Sequence, residues 1–174
     1  MSPQSASGPR ASVHRFALRA FGALPKPARR FIVRLITPSW TAGAVGVIER
    51  DDGRWLLVRA VYRKAWSVPG GLTSRGEAPE QTVRRELFEE LGIEVELAGE
   101  PWVIYDSDLR RLDAVFRGRL ADGIDPDTIE ICTPELIDLG WYDPDDPPQL
   151  EEEARDILLL RTRVLEGGDR ILLR

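Results

Sequence analysis

Cysteine, histidine and long apolar runs are what this chain has least of. A single cysteine, Cys132, excludes an internal disulfide and suits a reducing, cytoplasmic setting. No histidine neighbours it, so Cys132 reads as a small core or strand residue and not as a catalytic thiol. The single histidine, His14, lies near the N-terminus. That excludes histidine triads, zinc sites built on several histidines and histidine general bases from the rest of the chain. Proton transfer and metal binding there fall to carboxylates. No apolar run approaches the ~20 residues needed to cross a bilayer.

Acid is also absent from residues 1–40, which carry seven basic side chains: Arg10, Arg15, Arg19, Lys26, Arg29, Arg30 and Arg34. The whole chain carries −5, so residues 41–174 carry −12. A body this acidic does not suit duplex nucleic acid as a partner. It repels a polyphosphate unless a bound cation reverses the local field.

The charge break divides the chain into a basic arm, residues 1–39, and a domain, residues 40–174. Residues 1–12 are small and polar and read as disordered. Residues 13–36 alternate apolar and basic side chains and are broken at Pro25 and Pro27, which predicts two short amphipathic helices. Such an arm has three uses: contact with an anionic membrane surface, packing on its own domain, or pairing with a second copy in a homodimer. A secretory signal is disfavoured because Arg15 and Arg19 interrupt the apolar stretch.

In the domain, Thr41 to Arg50 and Trp55 to Arg59 read as strands joined at Asp51-Asp52-Gly53 into a hairpin. Trp66 to Val68 reads as a short strand. Further strands are expected at Glu94–Leu97, Trp102–Asp106, Asp113–Leu120 and Glu135–Trp141, with Ile129–Cys132 extended. Gln149 to Leu165 reads as a helix whose face carries Ala154, Ile157, Leu158, Arg161 and Leu165. Ile171–Leu173 reads as a last strand. Strands, helix, strands, helix is an α+β order with a mixed sheet between helices.

What is present in excess is carboxylate, gathered on one predicted helix. Pro79 suits the first turn and Gly92 the left-handed position past the end. Glu86, Glu89 and Glu90 stand at i, i+3, i+4 and share a sector. Val83, Leu87 and Leu91 form an apolar stripe beside it. Arg85 stands four residues before Glu89 and can pair with it. Oxygen-only ligands suit Mg²⁺ or Mn²⁺. The same acids also suit an ordinary solvated face, and the helix alone leaves both open.

From Gly71 the chain runs five residues to Glu77, seven more, then Arg85-Glu86-Leu87-Phe88-Glu89-Glu90-Leu91-Gly92-Ile93. These 23 residues resemble the Nudix box at each of its nine fixed positions, and Trp66-Ser67-Val68-Pro69-Gly70-Gly71 resembles its usual approach. The likeness extends over roughly residues 40 to 166. It implies a Nudix-like α/β/α sandwich with a mixed β-sheet, to which this chain adds a basic helical arm. It implies a metal-dependent hydrolase acting on a nucleoside diphosphate linked to another moiety.

Carried across residue by residue, the resemblance makes Glu86, Glu89 and Glu90 ligands of Mg²⁺ or Mn²⁺, with the carbonyl of Gly70 or Gly71 completing the shell. Glu89 is the first choice of proton acceptor, oriented by Arg85, and Glu77 braces the loop. A further base or ligand from beyond the box would be Glu130 or Glu135. The alternative is a binding or regulatory module that keeps the fold without turnover; all four box glutamates being present argues against it. For the substrate, Trp66, Trp102, Tyr105 and Trp141 are candidate stacking surfaces, and Arg59, Arg63, Lys64 and Arg75 candidate phosphate contacts. No nucleotide class is singled out.

Overall fold

The computed structural model describes residues 9–174. Its contacts divide into two compact units, Met1–Ser39 and Trp40–Arg174. In the first, α1 spans Pro9–Ala23 and α2 spans Lys26–Ile36. The disorder expected over residues 1–12 lies outside the described residues as far as residue 8. From Pro9 onward it is corrected to helix, with proline in the first turn, where its missing N–H costs nothing. The break between helices falls at Pro25, as the proline pair predicts. Lys26, Arg30 and Arg34 recur at i, i+4, i+8 along α2, and Phe31 and Leu35 form an exposed stripe about 100° around from them. No described helix is long and apolar enough to cross a membrane.

The second unit is a sandwich. A five-stranded mixed sheet has the order β3-β1-β5-β4-β7, and β2 and β6 form a two-stranded sheet. The strands are β1 (Thr41–Ile48), β2 (Trp55–Ala60), β3 (Gly70–Leu72), β4 (Val95–Asp106), β5 (Arg111–Leu120), β6 (Leu136–Tyr142) and β7 (Ile171–Leu173). Helices α3 (Pro79–Leu91) and α4 (Glu152–Leu165) cover opposite faces. Side-chain alternation on β1 divides the core. Ala44 and Ile48 meet Val83, Leu87 and Leu91 of α3, while Val45 and Val47 meet Ala154, Ile157 and Leu160 of α4. Burial on both sides explains why β1 is an unbroken apolar run. Gly46 lets α3 approach, since a Cβ there would lie 3.2 Å from Val83 Cγ1.

Several sequence expectations need correction. β1 and β2 do not form a hairpin. β1 pairs parallel with β5 and antiparallel with β3, whereas β2 pairs antiparallel with β6. Only the bridge Glu49–Trp55 links the two near the turn. The turn itself forms, with Gly53 at φ 86°. Both strands are apolar on both faces, so sidedness gave no clue to the partner of either. The two strands expected within 94–106 are one, β4, whose register shifts between Ala98 and Trp102 around the left-handed Gly99. Trp66–Val68 makes only isolated bridges. Residues 129–132 are loop, and Cys132 is exposed there and not a core or strand residue. On α4 the buried face is Ala154, Ile157 and Leu160, while Leu165 is exposed because it follows the last buried turn.

Candidate active site

The site starts from a backbone constraint. Gly70 holds φ 148°, and a Cβ there would lie 2.4 Å from the Ala44 carbonyl oxygen. Only glycine fits so close to β1. At Gly71 a Cβ would lie 2.3 Å from Glu86 Oε1, so the bare Cα leaves room for that carboxylate. The loop then enters α3 at Ala78. The Ala78 N–H donates to Gln81 Oε1 at 3.0 Å, and Pro79 follows. Gly92, at φ 65°, ends the helix.

Arg85 joins loop and helix. Its Nε donates to Glu77 Oε1 at 2.8 Å and its Nη2 to Glu77 Oε2 at 3.1 Å. Its Nη1 donates to Glu86 Oε1 at 2.8 Å and to Glu89 Oε2 at 3.0 Å, which forms the expected pair with Glu89. Glu77 Oε2 also accepts from the Ser74 amide at 2.9 Å and the buried Thr82 hydroxyl at 3.0 Å. Glu77 is thereby held down to about 2, first by Arg85 and then by the Ser74 amide. A carboxylate so depressed stabilises the fold above its ordinary value of 4.5 and loses that contribution as the pH falls toward about 2. Glu77→Gln should therefore lower the melting temperature at neutral pH and flatten the acid limb of stability below pH 4.5. Thermal melts across pH check this; identical acid limbs in both proteins would contradict it.

Glu90 differs from the other box acids. Burial, then the neighbouring Glu86 and Glu135 charges, push its carboxyl up to about 7. Its Oε2 is buried without a hydrogen-bond partner. It lines a cleft of about 220 Å³ together with Gly70, Gly71 and Glu135. Val45, Val58 and Val68 contribute to the apolar lining, and Tyr62, Arg63, Arg111 and Glu153 also line it.

Of the two later acids, Glu135 lines this cleft and Glu130 does not. The segment between them is fixed at two points. The Cys132 amide donates to the Glu90 carbonyl at 2.8 Å, and the Val61 amide to the Glu135 carbonyl at 2.8 Å.

Among the described residues no three acidic side chains are gathered around one metal position. Glu86 and Glu89 lean instead on Arg85. The residues nonetheless fit a hard divalent cation. The donors are all oxygen, and one buried carboxylate oxygen has nothing else to bind.

The substrate side was read less well from sequence. Arg63 lines the cleft; Arg59, Lys64 and Arg75 do not. Arg59 is bonded to Asp138 at 2.8 Å and lies over Trp66. None of the four candidate stacking aromatics lines the cleft. Trp102 is core, Tyr105 stacks on Trp40, Trp141 donates to the Pro126 carbonyl, and Trp66 packs against Tyr142. Tyr62, Arg111 and Glu153 were missed. Glu153 lies in an acidic run that also suits an ordinary helix start, and Tyr62 follows a strand with no motif around it.

Comparison with known proteins agrees with this geometry. The family model described as NUDIX domain matches residues 40–161. A MutT-like protein from Streptomyces ambofaciens is 34% identical over 124 residues, 71% of this chain and 77% of its own length. An NAD-capped RNA hydrolase NudC from Klebsiella pneumoniae is 34% identical over 108 residues, 59% of this chain but only 39% of its own length. The crystal structure of a MutT NUDIX hydrolase from Burkholderia pseudomallei superimposes with a TM-score of 0.57 at 28% identity, covering 70% of this chain and 98% of its own. With its α/β/α sandwich and complete box, the chain belongs to the NUDIX domain family of pyrophosphohydrolases.

Proposed function

We propose that this enzyme cleaves the pyrophosphate bond of a nucleoside diphosphate joined to another moiety, in a reaction that depends on Mg²⁺ or Mn²⁺. The observation that carries this reading is the unpartnered, buried Oε2 of Glu90, which lines the same cleft as Gly70, Gly71 and Glu135. When bound, a divalent cation neutralises phosphate charge and acidifies a water. Glu86, Glu89 and Glu90, with the Gly70 or Gly71 carbonyl, are the residues that would hold it. Glu89 accepts the proton of the attacking water, Arg85 orients Glu89 through their 3.0 Å bond, and Glu77 holds Arg85. Glu135 is the further acid that lines this cleft. A panel of nucleoside-diphosphate compounds incubated with Mn²⁺ tests the proposal. Metal-dependent release of a nucleotide product is expected. Cleavage of none of them would favour the regulatory module instead.

A second reading concerns the arm and rests on α2. Its exposed Phe31 and Leu35 flank a basic stripe, and no acid occurs in residues 1–40. We infer that residues 13–36 lie on an anionic membrane surface, with the apolar stripe in the interface and the basic side chains among the headgroups. The full-length protein should sediment with phosphatidylserine vesicles and not with neutral ones. Phe31→Glu with Leu35→Glu should weaken this at least tenfold. Unchanged sedimentation would eliminate the membrane reading. Monomerisation of the variant in sedimentation velocity would support a homodimer instead.

A further inference from the structure

Tyr62 lines the cleft and is 74% exposed, so its ring is open to a ligand there. The backbone beneath it is pinned. The Val61 amide donates to the Glu135 carbonyl at 2.8 Å, the Arg63 amide to the Ala60 carbonyl at 3.0 Å, and the Trp66 amide to the Gln149 carbonyl at 2.9 Å. The ring is therefore presented on a fixed rim, at little ordering cost to a ligand that stacks on it.

The neighbouring charges differ in availability. Arg111 is occupied, with Nε donating to Asp113 at 2.8 Å and Nη2 to Glu153 at 2.8 Å. Arg63 reaches Glu153 only at 3.9 Å and lies 5.8 Å from the Tyr62 ring centroid. Among the described residues lining the cleft, Arg63 is the guanidinium left to meet an anion.

We infer that Tyr62 and Arg63 bind the nucleoside end of the substrate, the ring stacking on the base and the guanidinium pairing with the phosphate next to it. This rests on the hydrolase reading and adds a specificity to it. Glu90 and Glu135 line the same cleft but are acids, which repel a phosphate, so the ring and the guanidinium are the groups suited to the base and its phosphate. A phenol ring reads the flat face of a base and not its edge, because every base has a π-face. The enzyme therefore detects that a base is present and discriminates weakly between bases.

The test is a KM-against-kcat split with a binding control. Tyr62→Ala should raise KM for a nucleoside-diphosphate substrate about tenfold or more, with kcat within about twofold. Tyr62→Phe should keep the wild-type KM. Arg63→Ala should raise KM similarly, and Arg63→Lys should recover part of it. Calorimetry without metal gives a readout that needs no turnover. Adenosine and uridine monophosphates should bind the wild type with similar affinity, and both should weaken about tenfold in Tyr62→Ala. Inorganic pyrophosphate affinity should not change with Tyr62→Ala. If the panel is cleaved but Tyr62→Ala leaves KM and monophosphate binding unchanged, this inference fails and the hydrolase reading stands. If nothing is cleaved yet Tyr62→Ala weakens monophosphate binding, the hydrolase reading fails and the rim assignment stands. A strong preference for one base would overturn the weak discrimination.

Discussion

Glu90→Gln should lower Mn²⁺-dependent hydrolysis by about 10²–10³-fold or more, the range typical of removing one preorganised electrostatic group from an active site. The substitution keeps shape and removes charge. Glu90 lines the cleft, its Oε2 is buried with no hydrogen-bond partner, and the backbone bond from Gly70 that favours its charge is one a glutamine oxygen can also accept. The Glu86 and Glu135 charges already disfavour ionisation there in the metal-free protein. The fold should therefore survive, with a melting temperature equal to or above the wild type at pH 8, where the repelled carboxylate is otherwise ionised. Calorimetric titration with Mn²⁺ should show weaker binding in the same variant. A kcat within tenfold of wild type, with metal binding intact, would remove Glu90 from the site and the main support of the proposed function.

The second large effect separates two adjacent glycines. Gly70→Ala should destabilise the protein by about 3 kcal/mol or more, combining backbone strain with a steric clash. Its φ of 148° is one that alanine rarely adopts, and the new methyl would lie 2.4 Å from the Ala44 carbonyl oxygen and 2.6 Å from Val45 Cα, both rigid backbone of β1. Gly71→Ala meets a different obstacle. Its methyl would lie 2.3 Å from Glu86 Oε1, the end of a flexible side chain that can swing away. Little stability should be lost, but Glu86 moves from its position and activity should fall by at least an order of magnitude. Chemical denaturation and steady-state kinetics on the pair check this. Equal stability losses at the two positions would contradict it.

What the chain disclosed in advance followed the range of the physics involved. Helix α3 was legible because its signals are local: Pro79 at the start, Gly92 at the end, and an apolar stripe of Val83, Leu87 and Leu91 that is buried as expected. The Arg85–Glu89 pair followed from their i, i+4 spacing. Strand positions were largely legible, but strand partners were not. β1 and β5 lie about 70 residues apart in the chain, and apolar residues on both faces of β1 carry no information about which edge pairs with which strand. The cleft was least legible. Tyr62, Arg111 and Glu153 come from a loop, a strand and a helix, and nothing but the folded topology brings them to one cleft. Cys132 was misread because small apolar residues are usually buried, whereas this one rides on a loop held by its amide and not by its side chain.

That amide ties catalytic geometry to main-chain architecture. Cys132 grips the Glu90 carbonyl, and three residues later the Glu135 carbonyl is gripped by Val61. The span between them is a strut with fixed ends, one on the box helix and one under the aromatic rim. Loop and helix are thereby held at a set spacing, and with them the two acids, Glu90 and Glu135, that line the cleft. A residue inserted between Cys132 and Glu135 should therefore break one of the two grips and shift Glu135 relative to Glu90, though both carboxylates would still be present.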